Sequence, residues 1–281
     1  MSTLLGILFS FVILIVAFIE EEGNPLDLIS LTPSMIVFGG TFGACIIAFP
    51  MSTIKKMGKA IKIAFKSKKS KLPELIYYFK DISTKTRRNG LLSLETEISG
   101  TENIDPFIKK GLQMVVDGLE PQSVKSTLEL QLEMMAERHH SCIAVLEAAG
   151  GFSPTMGVLG TVMGLVQVLG NLSDPSSLGP KIAVAFIATL YGVGFANLVW
   201  LPLAAKLKNI NNEEILEKEL IIEAVTLIQE GVNPNVIGEK LKSFLDAKDL
   251  AAYDQLDKAV EAWRNRKKKR MVNDGFLLTQ I

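Results

Sequence analysis

Apolar residues in this sequence are gathered into four long blocks, and this clustering constrains the fold more than any other feature. A block of about 20 largely uncharged residues is long enough to cross a bilayer as a helix. The blocks that meet this criterion run approximately over Leu4–Ile19, Pro33–Met51, Cys142–Leu169 and Ile182–Leu207. Glu147 in the third block and Lys206 in the fourth indicate that these two helices continue beyond the bilayer into water. The sequence therefore predicts an all-α integral membrane protein with four transmembrane helices.

The first block differs from a secretory signal in both of its flanks. No basic residue precedes it, and the acidic "EEEG" that follows is not a small-residue cleavage site. We therefore interpret it as a true span.

The distribution of charge predicts the orientation. The connection between the first two spans carries Glu20, Glu21, Glu22 and Asp27 without any Lys or Arg, whereas the segment after the second span is rich in lysine. Basic residues favour the cytoplasmic side of a membrane. Both termini are therefore expected in the cytoplasm of a multi-pass protein of the cell membrane.

The spans divide the chain into four predicted regions. Residues 1–51 hold the first two spans, residues 52–141 form a large helical cytoplasmic domain, residues 142–207 hold the last two spans, and residues 208–281 form a helical cytoplasmic tail with a basic end, Arg264 to Arg270. The stretch "STIKKMGKAIKIAFK" is amphipathic, and it either lies on the anionic inner leaflet or packs on neighbouring helices. In the tail, Gly231 separates two amphipathic helices, the second with Asn233 as its N-cap and Pro234 as its first residue.

Motifs of enzyme chemistry are missing from the sequence. It contains no P-loop, zinc-type His/Cys cluster, nucleophile elbow or Rossmann fingerprint. The two histidines, His139 and His140, are neighbours on a charged helix and fit a solvated pair better than a metal site. We expect no enzyme activity, no metal or other cofactor, and no nucleic-acid partner.

Small residues recur at helical spacing within the spans. They form one stripe in the third span and another in the fourth, each with a single threonine. Such stripes suit helices that pack closely around a narrow polar interior, although a lone threonine in a membrane helix often bonds back to its own backbone. Gly39 and Gly43 predict close packing of the second span as well. The stripes are Pro154, Gly157, Thr161 and Gly164 in the third span, and Ala185, Thr189, Gly192 and Ala196 in the fourth.

Two prolines and the lack of charged residues in mid-membrane are further features of the spans. Pro154 and Pro202 each remove a backbone hydrogen bond, which predicts a bend or a hydrated point in the helix. No Asp, Glu, Lys or Arg lies in the mid-membrane part of any span. Because an ion path through hydrocarbon usually needs an ionisable group, a conducting complex would have to take its carboxylate from another chain.

The whole pattern resembles the MotA/PomA family of flagellar stator subunits. The likeness covers almost the whole chain and rests on the four spans, the large insertion between spans two and three, and the motifs "RRNGLLSLETEI", "GFSPTMGVLGTVMGLV", "ATLYGVGFANLVWLPLAAKL" and "IQEGVNPNVIGEKL". It implies a pentamer around two copies of a MotB-like, single-span, peptidoglycan-bound partner that supplies the ion-binding aspartate. A transported cation, H⁺ or Na⁺, then drives torque on the rotor protein FliG.

The resemblance also implies roles for particular residues. Arg87 and Glu95 match the charged pair that faces the rotor, and Arg88 and Glu97 could share that task. On one unbroken helix the pair would be separated by about 12 Å, but Gly90 makes such a helix uncertain.

Within the spans, the prolines match a pair that couples ion binding to conformation, and the threonines match channel-lining residues followed by Tyr191. Threonine at position 161 resembles the sodium-driven branch. Helix packing is assigned to Gly157, Gly160, Gly164 and Gly192.

Two other interpretations compete with the stator. An ExbB/TolQ-like, proton-driven energiser resembles the family in its last two spans, but such proteins usually have three spans and lack "RRNGLLSLE". A passive membrane scaffold would explain the small-residue stripes without explaining the charged motif.

Overall fold

The computed structural model describes residues 2–66, 70–100, 104–173 and 175–260, which are almost entirely helical and contain no β-strand. The all-α prediction is thus confirmed, while the basic run from Arg264 to Arg270 lies outside the described residues. The helices are α1 (Ser2–Glu20), α2 (Leu31–Ser34), α3 (Gly40–Ala48), α4 (Met51–Ala64), α5 (Leu72–Asn89), α6 (Leu94–Gly100), α7 (Pro106–Val116), α8 (Pro121–Leu169), α9 (Pro175–Phe195), α10 (Leu201–Gln229) and α11 (Pro234–Lys242).

The chain divides into two compact units. The span unit consists of residues 1–67 and 135–212, and the second unit consists of residues 68–134 and 213–281. Residues 52–66 therefore group with the spans, although the sequence places them in the large insertion.

Four helices among the described residues are long and apolar enough to cross a membrane. Three of them contain the blocks found in the sequence, and the second block is covered as far as Ala48, so the prediction of four spans is confirmed. As expected, the third and fourth continue past their apolar blocks: α8 begins at Pro121, and α10 runs on to Gln229.

Two spans contain a wider π-helical turn. Met35–Gly39 joins α2 to α3, and Ala196–Trp200 joins α9 to α10. The second span ends at Phe49, whose backbone is extended because Pro50 disfavours helical geometry in the residue before it.

The π turn changes which glycine of the second span makes a close contact. A Cβ added at Gly39 or Gly43 would meet nothing within 4 Å in this chain, whereas one at Gly40 would lie 2.6 Å from the sulfur of Met156. The close packing predicted at Gly39 and Gly43 is therefore wrong within this chain. The physical reason is that a π turn holds more residues than an α turn and rotates the faces that follow it.

Helix α4 packs its apolar face on the spans. Ala64 is buried with Ile143, Leu146 and Leu203, and Met57 packs against the same cluster. The start of α1 is tied to this helix, because the hydroxyl of Thr3 donates to the carbonyl oxygen of Ala64 at 3.0 Å. Packing of this segment on neighbouring helices is thus observed, and its position at the inner leaflet stays a prediction. The exposed lysines of α4 are Lys55, Lys56, Lys59 and Lys62, and the exposed Lys66 follows the helix.

The second unit has a core of its own. Its buried apolar side chains come from α5, α6, α7, α11 and the unit's parts of α8 and α10, and they include Phe79, Leu94, Leu112, Leu128, Ile221 and Ile237. Residues 247–260 are also helical and bury Tyr253.

The caps predicted for the tail are observed. Gly231 adopts a positive φ of 70° directly after α10. The side chain of Asn233 accepts from the backbone N–H of Asn235 at 2.9 Å, and Pro234 is the first residue of α11.

Candidate functional site

Helices α8 and α9 meet backbone to backbone at two glycines. A Cβ added at Gly157 would lie 2.8 Å from the carbonyl oxygen of Ala188, and one added at Gly192 would lie 2.6 Å from the carbonyl oxygen of Ser153. Such distances are below any tolerable contact, so only glycine fits while the helices stay this close. The predicted packing stripe therefore exists as a contact surface.

The other two packing glycines face small side chains of α9. A Cβ at Gly160 would lie 2.6 Å from the Cβ of Ala188, and one at Gly164 would lie 2.5 Å from the Cβ of Ala185. Ala185 and Ala188 are almost fully buried, and α9 thus presents small residues opposite Gly160 and Gly164.

The two predicted threonines come together within this surface. The hydroxyls of Thr161 and Thr189 are in hydrogen-bond contact. The Thr161 hydroxyl also lies 3.1 Å from the carbonyl oxygen of Gly157 in its own helix and 3.1 Å from that of Ala185 in α9. The sequence left back-bonding and a polar interior as alternatives, and the structure combines the two.

This oxygen cluster holds two hydroxyls and two carbonyls in a half-buried position. The single proton of the Thr161 hydroxyl can serve only one of its three neighbouring oxygens, so lone pairs remain in the cluster that can accept a proton or coordinate a cation. Oxygen atoms of this kind are the ligands that hard cations take, and rings of carbonyl oxygens replace hydration water in ion pathways. No carboxylate belongs to the cluster, as the sequence implies. Among the residues that the structure describes, no three His, Cys, Asp or Glu side chains are grouped so as to hold a metal ion.

Ser153 belongs to the same surface and was missed by the sequence analysis. Its buried hydroxyl donates to the carbonyl oxygen of Gly192 at 3.0 Å. It stands four residues before Gly157, and this spacing is the signal that could have placed it in the stripe.

The two prolines lie in different surroundings. Helix α8 continues through Pro154 without interruption. Pro202 is the second residue of α10, directly after the π turn, and it lines a cavity of about 370 Å³ together with Thr3, Gly6 and Lys206. A π turn thus precedes the second proline, and the bend or hydrated point expected at each proline stays a prediction.

Tyr191 does not join the oxygen cluster. Its hydroxyl donates to the carbonyl oxygen of Leu28 and accepts from the backbone N–H of Ser30 at 3.1 Å. Its ring lies 6.3 Å from that of Phe38 and 6.5 Å from that of Phe195, centroid to centroid. This side chain therefore fastens α9 to the connection between the first two spans.

In the second unit, the motif "RRNGLLSLETEI" does not form one helix. It forms a turn between α5 and α6, which we call the tip. Helix α5 ends at Asn89, and Gly90 turns the chain with a φ of +82°, a conformation that favours glycine. A 3₁₀ turn over Leu91–Ser93 follows, and α6 then begins at Leu94. The spacing of about 12 Å that an unbroken helix would give between Arg87 and Glu95 does not apply.

The four charges of this motif are not equivalent. Glu97 forms an ion pair with Lys85, which is also 3.2 Å from Asp81, and the hydrogen bond to Glu97 raises the pKa of Lys85. Arg87, Arg88 and Glu95 are exposed and form no ion pair with any other described residue. Three charges are thus available to a partner, while Glu97 takes part in holding α5 to α6.

Comparison with known proteins supports the resemblance to the flagellar stator subunits. The model described as the MotA/TolQ/ExbB proton channel family matches residues 100–220, and the model described as motility protein A N-terminal matches residues 4–90. The second match covers the first two spans, which favours a stator over an ExbB-like energiser.

Individual relatives match along most of their length. Motility protein A of Bacillus subtilis (strain 168) is 36% identical over 259 residues, which are 92% of this chain and 95% of the relative. Chemotaxis protein PomA of Vibrio alginolyticus is 34% identical over 247 residues, 88% of this chain and 95% of the relative. The solved structure of the flagellar MotAB stator complex from Bacillus subtilis superposes with a TM-score of 0.82 at 36% identity, covering 89% of this chain and 98% of that one. The chain therefore belongs to the MotA/TolQ/ExbB proton channel family, and within it to the multi-pass motility protein A subunits of the flagellar stator.

Proposed function

We propose that this chain, together with a MotB-like single-span partner, conducts H⁺ or Na⁺ and converts the ion flow into torque on the rotor protein FliG. The observation that carries the proposal is the contact between Thr161 and Thr189 on a glycine-packed surface of two spans that contain no acid in mid-membrane. Such a cluster can coordinate or relay a cation but cannot neutralise it, so a partner's carboxylate completes the path.

Assembly and orientation are part of the same proposal. We infer a pentamer around two partner copies, in the cytoplasmic membrane, with both termini in the cytoplasm. The acidic connection between α1 and α2 and the exposed lysines of α4 support this orientation. Pro154 and Pro202 couple ion binding to helix movement, and the π turn beside Pro202 is a structural reason to place flexibility there. Tyr191 serves the path indirectly, by holding α9 to the external connection.

The rotor contact is assigned to Arg87, Arg88 and Glu95, which are exposed and form no ion pair among the described residues. Glu97 contributes by positioning, through its pair with Lys85. The threonine at position 161 favours Na⁺ over H⁺ as the transported ion.

The experiment tests the oxygen cluster with the complete stator complex. Thr161→Val removes the hydroxyl and keeps the shape, Thr161→Ser keeps the hydroxyl, and Thr155→Val is a matched control because the Thr155 side chain is exposed and bonds only within α8. Each complex is expressed in cells that lack any other stator, and swimming speed is measured against external sodium with and without a protonophore. We expect Thr161→Val to reduce speed or conductance about ten-fold, as the loss of one coordinating hydroxyl implies, and Thr161→Ser to retain most of it.

Equal speeds for Thr161→Val and Thr155→Val, with both complexes assembled, would show that the threonine pair is only a packing contact. Speed that follows external sodium and resists the protonophore identifies Na⁺. Speed that is independent of external sodium and is abolished by the protonophore identifies H⁺.

A further inference from the structure

The tip between α5 and α6 holds an apolar side chain in a fixed position outside the core. The turn is rigid by construction: the backbone N–H of Gly90 donates to the carbonyl oxygen of Thr86 at 2.8 Å, and the hydroxyl of Ser93 donates to that of Gly90 at 2.7 Å. Leu94 and Ile98 then bury the inner face of α6. The side chain at the centre of the turn, Leu92, is 70% exposed.

The neighbouring leucine has a different environment. Leu91 is only 37% exposed and lines a cleft of about 220 Å³ with Arg87, Gly90 and the turn around Gly231. Leu92 has no comparable place within the unit, although its position in the turn is fixed by the same hydrogen bonds. An exposed leucine by itself is ordinary on a protein surface, but this one lies between charges that are themselves without an ion pair among the described residues.

A protein–protein contact has a small apolar centre and a polar rim, and here an exposed leucine stands along the chain between exposed charges of the same turn. The rim carries both signs. Arg87 and Arg88 lie in the last turn of α5 on one side of the tip, and Glu95 lies in the first turn of α6 on the other. A surface complementary to it has an apolar depression with an acidic group on one side and a basic group on the other.

We propose that Leu92 is the apolar anchor of the rotor contact, inserted into a depression of the rotor protein between groups that pair with the arginines and with Glu95. The inference rests on the proposed function and adds to it. The charges steer the approach of the rotor surface and set its orientation, whereas burial of Leu92 lengthens the contact once it is made.

The experiment uses the complete stator complex, with a fluorescent tag, in flagellated cells that lack their own stator. Leu92→Asn removes the apolar anchor, Leu92→Met keeps an apolar side chain of similar volume, and Leu130→Asn is the control because Leu130 is also exposed and lies in the same unit, on α8. The number of complexes at each motor and their residence time are measured, together with the mass of the purified complex and its ion conductance.

We expect Leu92→Asn to shorten the residence time about ten-fold, with mass and conductance unchanged, and Leu92→Met and Leu130→Asn to behave as the parent. A normal residence time for Leu92→Asn would overturn the anchor. A smaller complex for Leu92→Asn would overturn it as well, because Leu92 would then pack against a second copy of this chain.

The charge reversals Arg87→Glu and Glu95→Arg separate the two proposals. If they abolish recruitment while Leu92→Asn leaves it intact, the rotor contact stands without the anchor. If all three variants are recruited normally, the rotor contact itself is wrong.

Discussion

The hydroxyl of Ser153 donates to the carbonyl oxygen of Gly192, while the carbonyl oxygen of Ser153 lies 2.6 Å from the place that a Cβ of residue 192 would occupy. One residue of α8 thus both bonds and touches one residue of α9. This double contact fixes how closely the two spans approach and where the oxygen cluster of Thr161 and Thr189 lies between them.

Replacing Gly192 with alanine is expected to separate the two spans. The new methyl group would overlap the Ser153 carbonyl oxygen, which belongs to a helix backbone and cannot rotate away. We expect destabilisation of about 1–3 kcal/mol. It is measured as a lower thermal unfolding midpoint of the purified complex. Gly194→Ala is the control, since a Cβ there meets nothing within 4 Å. An unchanged midpoint for Gly192→Ala would contradict the close approach.

Replacing Ser153 with alanine is expected to have a smaller effect. The variant loses one interhelical hydrogen bond in the membrane, worth about 0.6 kcal/mol on average, without steric overlap. The thermal midpoint should fall by less than in Gly192→Ala. Ser141→Ala, which loses a bond within α8 only, should leave it unchanged. A larger loss for Ser153→Ala than for Gly192→Ala would mean that the hydrogen bond dominates the contact.

In the second unit, Lys218→Met is expected to weaken the core. The Lys218 side chain is 8% exposed, donates to a carboxylate oxygen of Asp105 at 2.8 Å and lies over the ring of Phe107. Methionine fills the space but leaves Asp105 without this cation. Because Asp105 keeps contact with solvent, we expect a loss of about 1–3 kcal/mol in the free energy of unfolding. Lys125→Met is the control, because the Lys125 side chain is 41% exposed and its ion pair with Glu129 is a weak surface pair, and it should change little in a denaturant titration.

The same pair predicts an acid-dependent loss of stability. Burial acts to raise the pKa of Asp105, but hydrogen bonds from Lys218 and from the backbone N–H of Phe107 outweigh it and hold the pKa below its ordinary value. A carboxyl group with a lowered folded-state pKa contributes stability above the unfolded value of about 3.9, and this contribution is lost as the pH falls through the folded value. As the pH is lowered from about 6 to 3, the thermal unfolding midpoint should fall less in Asp105→Asn than in the parent, because the variant has no carboxyl group to protonate at this position. An equal fall of the unfolding midpoint with pH in the parent and in Asp105→Asn would contradict a lowered pKa for Asp105.

Tyr78→Phe is expected to preserve or increase stability. The Tyr78 hydroxyl is buried without a hydrogen-bond partner among the described residues, and burial, assisted by the charge of Glu97, raises the pKa of Tyr78 to about 12. Removing an unsatisfied hydroxyl recovers its desolvation cost, about 1 kcal/mol. Above about pH 10 the advantage should grow, because the parent loses stability as the pH approaches its folded-state pKa. Destabilisation by Tyr78→Phe, relative to Tyr77→Phe, would indicate a hidden partner.

The features that the sequence predicts well depend on local periodicity. Four apolar blocks identify the spans because a bilayer demands length and composition only, and spacings of three and four place Gly157 and Thr161 on one face whatever lies opposite. The cap at Asn233 was equally accessible, because capping depends on neighbouring residues.

The features that it predicts poorly depend on where the chain turns or what lies across a contact. The π turn before Gly40 shifts the packing face of the second span by a rotation that no residue pattern announces. Gly90 indicates that the helix could break within the charged motif. Only the positive φ of Gly90 shows that the chain turns there and that Lys85 and Glu97 form an ion pair. Ser153 resembled an ordinary helical serine until Gly192 was placed beside it.

The π turn at Ala196–Trp200 has a consequence for movement in the fourth span. A sharp kink in an intact α-helix breaks backbone hydrogen bonds, and within the membrane each freed group needs a new partner. A helix that already contains an extra residue can instead pass that residue along the chain, and each bond lost on one side is regained on the other. Pro202 stands directly beyond the turn and, lacking an N–H, removes one of the bonds that would resist such a shift. We therefore expect the fourth span to change its twist and length at this turn by exchanging backbone hydrogen bonds rather than by losing them.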